Sequence, residues 1–445
     1  MKQAKVIRLL GHYGHVEEII GMDDPFRYRN KASHAFAFMG GKTVTGIYQS
    51  ASRRVVPVED CLLEDQHSDE IVQTMRKLCV LYGYKPYDMQ TRRGFLRHVL
   101  VRRANASGQT MVVLVTANGK FDRKREFTET LLSKYDDIAT IVWNINPSST
   151  PILLGNKSEV LHGDGYITDT LMGLTFRISP RSFYQVNPTQ TEILYGKAVE
   201  FAALTGKERV IDAYCGTGTI GLTLAKQAKE VYGAETNAEA VRDAIENAHR
   251  NGITNARFFE ADAGLFMQEM AERRERIDVV VTDPPRAGCS KQFLQSVLAL
   301  APKRVVYVSC NPETLARDLF VLSKGGYKVK KMQPVDMFPF TEHVETVCLL
   351  SKLNAKQHIE INLDMDELDL TDAEKKATYQ EIKDYVLEHS GLKVSSLYIA
   401  QVKQQCGIIE RENYNKPKSE DAKQPQCPPD KEKAIKEALK HFGMI

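Results

Sequence analysis

The sequence predicts an α/β chain in three parts: an α+β module, a doubly wound parallel sheet, and a small helical appendage. Three observations carry this. From Arg209 onward, short β-branched runs alternate with helical patterns at the spacing of βαβ units. From Phe26 to about Val160 the pattern is largely strand-like, broken by one helical stretch. After Lys352 the chain turns polar, with an acidic run from Asp364 to Asp369 and a Pro-rich stretch, NKPKSEDAKQPQCPPD. The expected parts are residues 1–185, 186–352 and 353–445.

Residues 1–20 read as a short amphipathic helix, followed by a turn at Gly21–Pro25. FRYRNKASHAFAF, KTVTGIYQ, GFLRHVLVRRA and TMVVLVTA read as strands, and DEIVQTMRKLCVLYG as a helix. TQTEILYGKAVEFAAL is a helix with Thr189 as its cap. RVIDAYCG, EVYGAE, ARFFEAD, IDVVVTD and RVVYVSC are the parallel strands, with IGLTLAKQA, AEAVRDAIENAHRN, FMQEMAERR and KQFLQSVLAL between them. VKKMQPVD and HVETVCLLSK lie too close for a crossover helix and are expected to form an antiparallel hairpin. DAEKKATYQEIKDYVLEHSG, KVSSLYIAQVKQQCG and KEKAIKEALKHFG are the appended helices.

Of the 445 residues 42% are hydrophobic and 26% charged, which excludes wholesale disorder. No apolar run is long enough for a membrane span, and the N-terminus lacks the form of a secretory signal. Eight scattered cysteines without a CxxC pair do not make a disulfide framework and fit a reducing cytoplasm. The net charge of +3 is uneven: Arg76 to Arg103 holds eight Lys/Arg against one acid, Asp88. Such a stretch is either the footprint of a nucleic-acid face or a solvated surface, and charge alone does not choose.

VIDAYCGTGTIG contains a G-x-G-x-x-G (Gly216, Gly218, Gly221) between a strand and a helix, with Glu235 ending the next strand. Glycines let the backbone approach a ligand, and an acid there accepts hydrogen bonds from ribose hydroxyls. This fits a nicotinamide cofactor or S-adenosylmethionine. Asp212, placed to meet a cationic ligand end, and Asp283 of Asp283-Pro284-Pro285 favour the second. In VVYVSCNPETLARD, Cys310 ends a strand and precedes a helix N-terminus, where the dipole favours a thiolate. The plain alternative is a buried structural cysteine, and Cys215 shares the strand-end position.

FRYRNK, SFYQVNP, DAYCGTGTIG, DPPRAG, VSCNPETLARD and DMFPFTEHVETV follow one another in that order. Through them residues from about Phe26 to Lys352 resemble the RNA (uracil-5-)-methyltransferase family, which acts on 23S ribosomal RNA or tRNA. The resemblance implies a Rossmann-like class I methyltransferase sheet with an N-terminal α+β RNA-binding module and a small helical C-terminal appendage. It implies S-adenosyl-L-methionine as cofactor, held by Gln185, Tyr214, Glu235 and Asp283. It puts the nucleophile on Cys310 and the base on Glu345, with Asp262 a further contact. Many family members begin with a barrel domain and a cysteine cluster that holds a 4Fe–4S centre. This sequence starts after that point, only Cys61 matches a ligand position, and a cluster is not expected.

The expected partner is RNA, 23S rRNA ahead of tRNA, with no membrane, for a cytoplasmic enzyme acting as a monomer. A nicotinamide oxidoreductase would leave DPPRAG and SCNP without a role. An RNA-binding or folding factor would not need both Cys310 and Glu345. Phe26 and Tyr28 are candidate stacking faces. Arg27, Arg29, Arg92, Arg93, Arg97, Arg102 and Arg103 are candidate phosphate contacts.

Overall fold

The computed structural model describes residues 1–50, 52, 54–148, 152–353, 379–406 and 427–442. The chain divides into two compact units, residues 1–358 and 359–445. The first unit contains α1 (Lys2–Leu10), β1 (Lys31–Met39), β2 (Lys42–Tyr48), β3 (Val55–Pro57), α2 (Gln66–Leu81), β4 (Leu96–Arg103), β5 (Thr110–Thr116), α3 (Lys124–Leu132), β6 (Ile138–Ile145) and β7 (Lys157–His162). It continues with β8 (Ile167–Leu171), β9 (Leu174–Ile178), α4 (Pro188–Ala202), β10 (Arg209–Ala213), α5 (Thr219–Ala225), β11 (Glu230–Glu235), α6 (Ala238–Arg250), β12 (Ala256–Glu260) and α7 (Ala263–Glu272). It closes with β13 (Val279–Thr282), α8 (Lys291–Leu300), β14 (Arg304–Ser309), α9 (Pro312–Lys324), β15 (Tyr327–Val335) and β16 (Glu345–Lys352). The second unit holds α10 (Tyr379–Ser390), α11 (Ser396–Gln405) and α12 (Pro429–His441), packed around Ile382, Val386, Ile399, Val402, Ile435 and Leu439.

Among the described residues the first unit has two seven-stranded sheets. The first runs β3-β2-β1-β4-β5-β6-β7, the second β12-β11-β10-β13-β14-β16-β15. In the second sheet β10 to β14 are parallel, and β16 inserts antiparallel between β14 and β15. Its central strands are β-branched runs buried on both faces, as helix-covered parallel strands must be. The expected hairpin of the last two strands is present. No helix among the described residues is long and apolar enough to cross a membrane.

Three local expectations are corrected. The first helix ends at Leu10, and the chain beyond it runs beside β15. There Glu17 N bonds Met332 O at 2.9 Å and Ile20 bridges Val335, so sheet-edge hydrogen bonds replace the helical ones after Gly11. The cap of α4 is Asn187, which accepts from Gln190 N at 3.2 Å, with Pro188 in the first turn; Thr189 lies inside the helix. The strand-like first module also contains α3, whose buried Phe127, Thr128 and Leu131 line one face, so β5 and β6 form a parallel βαβ pair.

Candidate active site

The carboxyl ends of the parallel strands converge on one edge, where open α/β sheets hold ligands. After β10 the chain leaves the sheet through Tyr214, whose φ of 63° is left-handed, and Gly216, at 54°. A Cβ on Gly216 would meet nothing within 4 Å, so this glycine opens toward free space. Gly216 N donates to Glu235 Oε2 at 3.2 Å, and Asn237 N donates to its Oε1 at 2.9 Å, which fixes the Glu235 carboxylate at the end of β11.

The other two glycines are closely packed, which for Gly218 differs from the expectation that it leaves space for the cofactor. A Cβ on Gly218 would lie 2.9 Å from the Phe258 ring, and on Gly221 2.7 Å from Asp212 Oδ2. Gly221 N instead donates to that Asp212 oxygen at 2.7 Å. Asp212 Oδ1 is buried without a partner. Burial, then Asp283 and Glu235, push its carboxyl up to about 8 against the Gly221 hydrogen bond. A buried acid with an orphaned oxygen, an open glycine and a fixed ribose-type acceptor fit a cationic nucleoside cofactor. Tyr214 packs against Phe293, with ring centroids 5.5 Å apart. Gln185 is buried and joins the group through Tyr195, whose hydroxyl also lies 3.4 Å from Thr219 Oγ1. Asp262 caps α7, accepting from Gly264 N at 2.9 Å and Leu265 N at 3.0 Å.

Cys310 follows β14, and Asn311 caps α9 by accepting from Glu313 N at 3.0 Å. Ser309 pairs with Thr346 across the β14–β16 ladder, so Glu345 stands opposite Cys310 one position further out. Cys310 is half-buried, whereas Glu345 is 4% exposed. Burial pushes the Cys310 thiol up to about 11, reinforced by Glu345 and Asp283 and opposed by Arg286. Glu345 is likewise raised well above the carboxylate range by burial and by Asp283, with Arg286 opposing. Cys215, the other strand-end thiol, turns inward. It is buried, its Sγ lies 2.9 Å from where a Cβ on Gly233 would sit, and burial raises its thiol well above the ordinary value.

Arg286, in DPPRAG, was not singled out by sequence reasoning, nor was the network that holds its loop. Asp318 Oδ2 accepts from Tyr307 Oη at 2.7 Å and Cys289 N at 2.8 Å, and Asp318 Oδ1 accepts from Arg317 Nε at 2.8 Å. Asn311 Nδ2 donates to Arg286 O at 3.2 Å. These bonds tie DPPRAG to SCNPETLARD, which is a physical reason for finding the two motifs together.

The proposed RNA face is redistributed. Tyr28 is buried, donating to Pro339 O at 3.2 Å, and cannot serve as a stacking face. Phe26 is exposed beside Phe340, at a 5.2 Å centroid distance. Arg27 is engaged with Asp60 at 2.5 Å and Asp69 at 3.1 Å. Arg97 is buried, donating to Asn146 O at 2.6 Å, and Arg103 lies 3.5 Å from Asp65. Arg102 is buried as well, while Arg92 and Arg93 are exposed and Arg29 is half-buried. Around Cys61, Asp69 Oδ2 accepts the Cys61 N–H at 2.8 Å, and His34 Nε2 meets Glu64 Oε2 at 2.7 Å. Among the described residues His34, Glu64 and Asp69 are the one group spaced to hold a metal ion, and it contains no cysteine.

Residues 155–353 match the family model described as tRNA (Uracil-5-)-methyltransferase. An uncharacterized RNA methyltransferase of Halalkalibacterium halodurans is 45% identical over 358 residues, covering 79% of this chain and 78% of that protein. One of Listeria innocua is 46% identical over 336 residues, covering 76% and 74%. Among solved structures, the Pyrococcus abyssi tRNA (uracil-54, C5)-methyltransferase in complex with S-adenosyl-L-homocysteine is similar at a TM-score of 0.65 and 28% identity. It covers 78% of this chain and 81% of its own.

Proposed function

The chain belongs to the tRNA (uracil-5-)-methyltransferase family of S-adenosylmethionine-dependent RNA methyltransferases, and we propose that it methylates C5 of a uridine through a covalent adduct on Cys310. The observation that carries this is a half-buried thiol within electrostatic reach of a buried carboxyl, just beyond the Ser309–Thr346 pair that ends the β14–β16 ladder. Uracil C5 is too weak a nucleophile to take a methyl group unaided. Cys310, as the thiolate, adds through Sγ to C6, and the C5–C6 π electrons move toward C5 and the C4 carbonyl. The chemistry supplied with S-adenosylmethionine is a methyl group on a sulfonium, which departs as a neutral thioether. C5 forms the new carbon–carbon bond, Glu345 takes the C5 proton, and the returning π bond expels the Cys310 thiolate.

Glu235, Tyr214, Gln185 and Asp283 hold the cofactor in this reading, with the orphaned Asp212 oxygen behind them. The α9 N-terminus favours the Cys310 thiolate against the opposing burial. Arg286 opposes the same cost at both Cys310 and Glu345. RNA carrying 5-fluorouridine tests the chemistry, because fluorine cannot leave as the proton does and the adduct should persist.

For the substrate we favour 23S rRNA, on the motif set from FRYRNK to DMFPFTEHVETV. The second reading, tRNA, is favoured by the activity named for the Pyrococcus abyssi relative. Mapping 5-methyluridine in ribosomal and transfer RNA from cells with and without the gene decides between them.

A further inference from the structure

Lys31 on β1 stands directly opposite Arg102 on β4, an arrangement of like charges that costs stability. Arg102 is 2% exposed, and among the described residues neither cation forms an ion pair. Its Nη1 donates to Ser182 O at 3.1 Å, but its Nε is buried without a partner, as is the Tyr184 hydroxyl. Burial, with Arg102 and Arg29 nearby, pulls the Lys31 ammonium down to about 8, and burial lowers Arg102 to about 10. All three side chains line one cavity of about 560 Å³, whose wall also includes Arg181, Phe183 and Asn237. Glu239 on the same wall lies 3.7 Å from Arg181.

A buried guanidinium and a half-buried ammonium that face each other, with no acid paired to either, call for an anion. The cavity is far larger than an inorganic phosphate, and Phe183, 69% exposed, offers a ring face beside it. A charged pocket with an aromatic wall is the chemistry that holds one nucleotide of a single strand. We propose that the Lys31–Arg102 cavity is a nucleotide subsite of the RNA site. It takes a backbone phosphate of the substrate strand on the two cations and the adjoining base against Phe183. The assignment rests on the RNA reading above and names where the strand beside the target is held. It also gives Arg102 a phosphate contact from inside a cavity rather than from the surface.

The test measures the affinity of an oligouridylate of about ten nucleotides against salt, for wild type, Lys31→Gln and Arg102→Gln. Lys31→Gln should weaken binding several-fold and lower the salt slope by about 0.7, the value for one phosphate of a single strand. Adenosylmethionine affinity should stay at the wild-type value, which shows that the variant is folded. If Arg102→Gln loses the cofactor as well, Lys31→Gln carries the test alone. The pocket is refuted if Lys31→Gln keeps the wild-type slope and affinity, or if wild type does not bind the oligonucleotide. It is also refuted if inorganic phosphate binds in a Lys31-dependent way while the oligonucleotide slope is unchanged, because the site then takes a free anion. Lys31-dependent binding by a protein that transfers no methyl group to RNA would instead overturn the proposed function and leave the pocket standing.

Discussion

Glu345 stands opposite Cys310 at the open end of the β14–β16 ladder, one position beyond the Ser309–Thr346 pair. The two are 35 residues apart in sequence, and an antiparallel strand inserted at the end of a parallel sheet brings them together. That insertion gives the site a buried carboxyl facing a half-buried thiol.

Cys310→Ala should abolish methyl transfer and 5-fluorouridine trapping while cofactor affinity is kept. Cys215→Ala should still trap, at a cost of ~1 kcal/mol in stability for the cavity beside Phe258. Gel-shifted adduct and urea unfolding read the two effects. Trapping that survives Cys310→Ala and is lost in Cys215→Ala reverses the assignment.

Glu345→Gln should still add to C6 and accept the methyl group, then stall before elimination. A methylated RNA–protein adduct should accumulate with ordinary uridine. Wild-type turnover in this variant would reduce Glu345 to a buried strand residue.

Asp212 links folding to pH. Its folded carboxyl is raised to about 8, so its stabilising share is complete below about 4 and is lost as pH rises through 8. Asp212→Asn, which keeps an acceptor for Gly221 N, should unfold at a higher temperature than wild type at pH 9, and the gap should close in acid. Cofactor affinity should rise with pH through about 8 in wild type and remain flat in the variant. Identical Tm profiles for the two proteins would contradict this.

Glu235→Ala should weaken adenosylmethionine binding by ~1–3 kcal/mol, the worth of a charge-assisted hydrogen bond. Gly218→Val should show instead as lost folding, because its side chain would enter the Phe258 ring from a φ of 83°. Calorimetric titration and thermal unfolding separate them. A stable Gly218→Val protein with only a cofactor defect would restore the ligand-approach role.

Asp318→Ala should destabilise the fold by about 3 kcal/mol, since it strips Tyr307, Cys289 N and Arg317 of a buried acceptor. Turnover should fall with it, because the DPPRAG loop loses its anchor. An unchanged urea midpoint would contradict the account.

Much of this molecule is legible from its sequence. The β-branched runs from Arg209 specify the parallel sheet, because strands covered on both faces must be apolar throughout. Strand ends are readable too, so the sequence puts Glu235, Asp283 and Cys310 on one edge. Glu345 was accessible only through the resemblance, since by local pattern it is an ordinary strand carboxylate.

Tertiary structure alone decided which way side chains point and what they meet. Both Cys215 and Cys310 lie just past strand ends, but only packing against Gly233 and Phe258 shows that the first thiol faces inward. Seven arginines look alike as surface charge, yet Asp60 and, on α2, Asp69 occupy Arg27, backbone carbonyls take Arg97, and Arg102 is buried opposite Lys31. Period and composition record how a residue relates to its sequence neighbours. They carry no record of cross-strand partners many residues away, and those partners set the burial and charge on which chemistry depends.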